Sequence, residues 1–89
     1  MLEREIAVVN RLGLHARASA KLVRLLADYR AQATLRVGGR EVNAKSIMGV
    51  LLLAAGQGSS VLLRVDGPDE EEALAAVEAL FARRFDEGE

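Results

Sequence analysis

Residues 13–20 read GLHARASA and hold the only histidine of the chain, His15, with Gly13 before it and Arg17 after it. Cysteine is absent. A zinc centre draws about four ligands, mostly from Cys and His, so one imidazole cannot supply it. A Ser or Cys nucleophile needs a base that is itself held by a partner, and the sequence pattern gives His15 no partner set. GQGSS at 56–60 is rich in glycine but lacks the lysine and the length of a phosphate-binding loop. What remains is the imidazole as nucleophile. Histidine forms covalent intermediates, and its ordinary pKa keeps much of it neutral near neutral pH.

A phosphoryl group on His15 would meet a suitable setting. A helix beginning at Ala16 leaves its first N–H groups without intrahelical partners, and its dipole favours an anion at the mouth. Arg17 can add a fork of donors to the same oxygens, and Gly13 gives the loop backbone freedom to place the ring. The stretch is built like a shallow anion site with a nucleophile in it, where Arg17 and the backbone N–H groups of Ala16 and Arg17 could hold a phosphoryl group on His15. A shallow site of this kind suits a group that is handed on, because donor and acceptor must both reach it. The plain alternative is a solvated loop histidine ahead of an ordinary helix. Arg17, Lys21 and Arg24, which step by helical spacing, would then be a solvated basic face.

A second stretch, SIMGVLLLAAG at 46–56, raises a different question. Ser46 ahead of a helix reads as an N-cap that accepts a backbone N–H. Read functionally, it is a phosphorylation site, where phosphate would add negative charge beside Ile47 and Met48. The helix after it is apolar nearly all round. Such a helix is either buried or displays an apolar patch, and Ile47, Met48 and Leu51 are candidates for a surface that docks a partner.

These residues must be positioned by elements whose order is legible from periodicity. LEREIAVV at 2–9 alternates as a strand, with Leu2, Arg4, Ile6 and Val8 on one face. From Ala16 to about Tyr29 the apolar residues Ala16, Ala20, Val23, Leu26 and Ala27, with Leu22, Leu25 and Tyr29, mark a helix. ATLRV at 33–37 and REVNA at 40–44 read as a hairpin across Gly38-Gly39, where positive φ is tolerated. The short helix after Ser46 is expected to end at Gly56 and Gly58. SVLLRVD at 60–66 is a strand. Asp69 and Glu72 form a D-x-x-E capping box for a last helix, in which Leu74, Val77, Leu80, Phe81 and Arg84 share helical spacing. The order is β-α-β-β-α-β-α. The expected fold is α+β in two layers, a four-stranded antiparallel sheet with three helices on one face.

The whole chain sets outer limits. Eighty-nine residues make one domain, 1–89, with a modest core and no room for a deep cleft. Twelve basic and thirteen acidic residues leave a net charge of -1, so no overall basic field draws nucleic acid. With three aromatics and no Trp, base stacking has little to work with. The balance hides an asymmetry: residues 11–45 are mostly basic and 66–89 mostly acidic. MLEREIAVV does not read as a signal or transit peptide. The longest apolar run, VLLLAAG, is far too short for a membrane span. The absence of cysteine fits a reducing cytoplasm, and the expected state is a cytoplasmic monomer without cofactor or metal.

GLHAR at 13–17 and KSIMGVLLLAAGQG at 45–58 resemble the two signatures of the histidine-containing phosphocarrier (HPr) family of the bacterial phosphoenolpyruvate-dependent sugar phosphotransferase system. Length, element order and the spacing of the two motifs all agree. The resemblance implies an open-faced β-sandwich. It implies that His15 is phosphorylated on Nδ1 by enzyme I, with phosphoenolpyruvate as source, and passes the group to IIA units of sugar permeases. It implies that Arg17 contacts the phosphoryl group and that Ala16, Ala20, Arg24, Ile47, Met48 and Leu51 dock partners. It further implies that Ser46 is the target of a dedicated kinase in some bacteria, giving a form that is less active as a carrier and binds a transcriptional regulator. The chain departs from the family at Ala18, where proline is common. Proline there pre-sets φ and removes an orphan donor, so its loss should touch stability slightly and the chemistry not at all. The nitrogen-related carrier shares the histidine signature, so a regulatory binding module without a role in sugar uptake stays open.

Overall fold

The structure, a computed structural model, describes residues 1–87. Its elements are β1 (Leu2–Ala7), α1 (Ala16–Leu26), β2 (Gln32–Val37), β3 (Arg40–Asn43), α2 (Ile47–Leu53), β4 (Ser60–Asp66) and α3 (Glu70–Ala82), followed by one turn at Arg84–Asp86. The order is the one periodicity predicts. The four strands form one antiparallel sheet in the order β1-β4-β2-β3, an open-faced sandwich.

Register explains which face is covered. Ile6 lies opposite Val61, Ala33 opposite Val65, and Leu35 opposite Leu63; all six are buried. Their neighbours in sequence, Glu3, Glu5, Arg36, Glu41 and Asp66, are exposed. Side chains alternate across a strand, so one face takes the apolar set and the other faces water. Leu22 and Leu26 of α1, Val50 of α2, and Val77 and Phe81 of α3 complete the core, each with essentially no exposure. Burying a side chain of this size is worth about 1.5–3 kcal/mol, so this shared layer is what holds the helices to the sheet.

Several local expectations need correction. The buried face of α1 is Ala18, Ser19, Leu22 and Leu26, while Ala16 and Ala27 are exposed. The helix begins at Ala16, and that phase turns Ala18 rather than Ala16 inward. Helix α2 does not end on Gly56 or Gly58. Ala54 already takes the left-handed conformation at φ 52° and donates its N–H to Leu51 O at 3.1 Å. In the hairpin only Gly38 has positive φ. The capping box at α3 is not formed. Asp69 makes no side-chain bond to its own helix. Its two oxygens instead accept the N–H groups of Arg30 and Ala31, both at 2.8 Å. Those bonds, more than the burial that opposes them, hold its carboxyl below the ordinary range. The β4–α3 turn lies hard against the α1–β2 loop there: a Cβ on Gly67 would stand 2.5 Å from Ala31 Cα. Arg84 is outside α3, whose last residue is Ala82.

Candidate functional site at the start of α1

The loop ahead of α1 is held by its own backbone. Gly13 N–H donates to Asn10 O (3.1 Å), Leu14 N–H to Ala55 O (2.8 Å) and His15 N–H to Gly13 O (2.9 Å). Gly13 has φ +67°, and a Cβ on it would lie 2.5 Å from Ala55 O and 2.7 Å from Gly56 Cα. Both the left-handed backbone and the close approach of the α2–β4 connection require glycine here. Sequence reading assigned Gly13 freedom to place the ring; in the fold it locks one placement.

His15 is the N-cap of α1, with extended backbone at φ −76° and ψ −176°. Its carbonyl accepts the Ser19 N–H at 2.9 Å, and its ring Nδ1 accepts the Arg17 N–H at 3.2 Å. The imidazole occupies the place usually taken by a short oxygen-bearing side chain. Ser19 is fully buried, with Oγ donating to Leu14 O at 3.1 Å, so it is spent on the loop and offers no nucleophile.

The ring's other nitrogen, Nε2, meets the Glu87 carboxylate at Oε2 in a hydrogen bond. Glu87 Oε1 accepts from Asn10 Nδ2 at 3.1 Å, and the same Asn10 amide donates to Gly13 O at 2.7 Å. The Glu87 side chain keeps only 8% exposure against 26% for His15. Burial pushes Glu87 up, but bonds from Asn10 and His15 and the nearby charge of Lys21 outweigh it and hold the carboxyl below its ordinary range. His15 thus has the partner set that the sequence pattern denied it. No local signal could reveal it, since Glu87 lies 72 positions away.

His15, Ala16, Arg17 and Lys21 share an open depression of about 620 Å³ that Leu12, Asp86 and Glu87 also line. Arg24 lies outside it, in a neighbouring depression with Lys21 and Arg83. Ala20 is half-buried on α1. Ser46, Ile47, Met48 and Leu51 do not line the His15 depression. Ser46 caps α2, its Oγ accepting Gly49 N–H at 3.1 Å. On that helix Ile47, Met48 and Leu52 are exposed while Val50 and Leu53 are buried; Leu51 is half-buried. Leu12, in the loop ahead of α1, is exposed as well. Among the described residues no three His, Cys, Asp or Glu side chains gather as a metal site, and no helix is long and apolar enough to cross a membrane.

The structure places the imidazole at the start of α1, beside an open depression and with an exposed arginine two residues on. The family model described as the PTS HPr component phosphorylation site matches residues 2–83. The chain belongs to the HPr family. It is 57% identical over 89 residues to the phosphocarrier protein HPr of Cupriavidus necator, covering 100% of both chains. To the phosphocarrier protein NPr of Shewanella violacea it is 41% identical over 86 residues, covering 97% of this chain and 94% of that one. The crystal structure of HPr-C-His from Thermoanaerobacter tengcongensis superposes with a TM-score of 0.94 at 40% identity, covering 98% of each chain. In this HPr-family chain Ala18, at the position where proline is common, is completely buried.

Proposed function

We propose that this chain carries phosphoryl groups on His15, receiving them from enzyme I and passing them to IIA units of sugar permeases. The observation that supports this most directly is the His15 ring, whose Nδ1 lone pair points at the N–H of Arg17 at the open start of α1. A phosphoryl group joined to Nδ1 enters the same space. Its oxygens replace the ring nitrogen as acceptors for the N–H of Arg17 and take up the N–H of Ala16 as well, and the Arg17 guanidinium swings in from solvent. Because the depression is open, a donor and then an acceptor can each approach in line. The chain brings no deep pocket of its own, so the chemistry depends on its partners, and it acts as a carrier rather than an enzyme. It works in the cytoplasm, where phosphoenolpyruvate is the ultimate source.

Docking falls to Ala16, Ala20 and Arg24 on α1 and to Ile47, Met48 and Leu51 on α2. The exposed Ile47 and Met48 are apolar surface with no evident structural use. Ser46 is the regulatory position. A phosphate on it stands at the α2 N-terminus, where an anion is tolerated, and places charge beside Ile47 and Met48 without unfolding the helix. The higher identity to an HPr than to an NPr favours the sugar branch over a purely regulatory one.

The test is an intact-mass assay with phosphoenolpyruvate, magnesium and a competent enzyme I, run on the wild type and His15→Ala. One added phosphate on the wild type alone, lost in acid, is the expected result. No added phosphate on the wild type overturns the reading, as does phosphoenolpyruvate turnover by the isolated protein.

A further inference from the structure

The segment after α3 follows an unusual path. Arg84, Phe85 and Asp86 take φ of 57°, 55° and 60° in succession, with no glycine among them. A left-handed backbone is disfavoured at each such residue. A run of three persists only where its surroundings over-determine it, and such strain gathers at functional sites. The surroundings are specific here. Phe85 has no exposure and packs edge-to-face on Phe81 with ring centroids 4.8 Å apart. Lys21, on the same helix as His15, donates from Nζ to Phe85 O at 2.5 Å. Arg83 Nε donates to Asp86 Oδ1 at 3.0 Å. The product of this turn is the placement of Glu87 between Asn10 and the His15 ring.

We infer that Glu87 is a positioning residue for the phosphoryl acceptor, holding His15 as the tautomer protonated on Nε2, so that Nδ1 carries no proton and its lone pair turns from the Arg17 N–H to phosphorus in the transfer step. The inference rests on the carrier reading of His15. A carboxylate accepts only, so the ring nitrogen facing Glu87 must bear the proton. The nitrogen facing the Arg17 N–H must then be the bare one. The two contacts select the same tautomer from opposite edges of the ring, as a carboxylate behind a histidine commonly does.

The consequence for transfer follows from charge. In the step, the donor's bond to phosphorus breaks with its electron pair remaining on the enzyme I group that carried the phosphate, which departs dephosphorylated, and the new N–P bond forms from the Nδ1 lone pair. The Nε2 proton stays in place, so the ring gains positive charge as the bond forms. Glu87 faces that charge at Nε2, on the edge away from the incoming phosphate. Asn10 bonds its second oxygen, so the carboxylate cannot rotate away without losing a partner. Glu87 does not touch phosphorus; its effect passes through the imidazole.

The test uses nitrogen-15 spectra of the His15 ring in the full chain, wild type against Glu87→Gln and Glu87→Asp, with phosphoryl acceptance from enzyme I measured on the same samples. The wild type should show the neutral ring protonated on Nε2. In Glu87→Gln that preference should fall to a mixture, and acceptance should slow by about tenfold at saturating enzyme I with its apparent KM unchanged. Glu87→Asp should recover part of both. Backbone amide spectra report whether each variant keeps the fold; if Glu87→Gln disturbs it, Asn10→Asp, which removes the bond to Glu87 Oε1, should give the same mixture. An unchanged tautomer and rate in a folded Glu87→Gln overturns the inference. Failure of the wild type itself to accept phosphate overturns the carrier reading instead, and the ring spectra, which need no phosphate, still decide whether Glu87 sets the tautomer.

Discussion

At the scale of single residues the site is a division of labour around one five-membered ring. Nδ1 faces a backbone N–H, Nε2 faces a carboxylate, and the exposed Arg17 side chain stands beside the opening. Arg17 therefore has two separable parts. Its backbone N–H is fixed by the helix and survives any substitution except proline. Its guanidinium is exposed, and on the proposed carrier function it contributes only once phosphate arrives. A charge-assisted hydrogen bond to a phosphoryl oxygen is worth about 1.5–3 kcal/mol. Arg17→Ala should therefore slow phosphoryl acceptance by about 10–100-fold while leaving the melting temperature unchanged. Arg17→Lys should recover only part of the loss, since an ammonium cannot present the guanidinium's planar fork. Single-turnover acceptance from phosphorylated enzyme I, beside thermal unfolding of each variant, measures both halves. Acceptance by Arg17→Ala at the wild-type rate would remove the guanidinium from the mechanism.

Between elements, the connections matter more than the elements. The α1–β2 loop is tied to the β4–α3 turn through Asp69, whose carboxylate accepts the Arg30 and Ala31 N–H groups. Asp69→Asn keeps one acceptor and turns an amide N–H₂ toward a backbone N–H, so one donor loses its bond. At neutral pH the melting temperature should fall by about 5 °C. The sign of the pH dependence is set by the direction of the shift. The folded carboxyl sits below its ordinary value, so its contribution is fully present above the unfolded pKa, about 4. It is lost as pH falls through the depressed folded value. Wild type and Asp69→Asn should converge in acid, and a constant gap down to about pH 2 would show that the bonds act independently of the charge. Asp69 also marks where sequence reading stops. Strand alternation, the Ser46 cap and the helix after His15 are local signals, and each was legible. Asp69 looked like a capping residue because D-x-x-E is a local pattern, but its partners lie 38 and 39 positions back. His15 and Arg17 were legible as a pair for the same reason of locality. Glu87 was not, because only the left-handed turn around the buried Phe85 brings it to the ring.

For the molecule as a whole, size and charge decide how a site this exposed can be selective. The chain measures 33 × 28 × 20 Å, and the His15 ring sits in an open depression, so on the proposed function discrimination has to come from docking. The net charge of -1 gives no long-range attraction, yet charge is unevenly placed. Arg17 and Lys21 line the opening and Arg24 follows on the same helix, while Glu70, Glu71 and Glu72 crowd the first turn of α3. A partner with an acidic rim would be drawn to the first region and repelled by the second, which orients the encounter before any apolar contact forms. Fields of this kind act mainly on association rates and are screened by salt. The Debye length falls from about 10 Å at 0.1 M to about 3 Å at 1 M. Raising ionic strength from about 0.05 to 0.5 M should therefore cut the association rate with enzyme I by about tenfold while changing dissociation little. Arg24→Glu separates steering from contact, since Arg24 is exposed and lies outside the His15 depression. Its association should be several-fold slower than wild type at low salt and should approach the wild-type rate at high salt, as stopped-flow mixing can follow. A salt-independent rate would mean that the basic rim is merely solvated and that the apolar Ile47 and Met48 surface selects the partner alone.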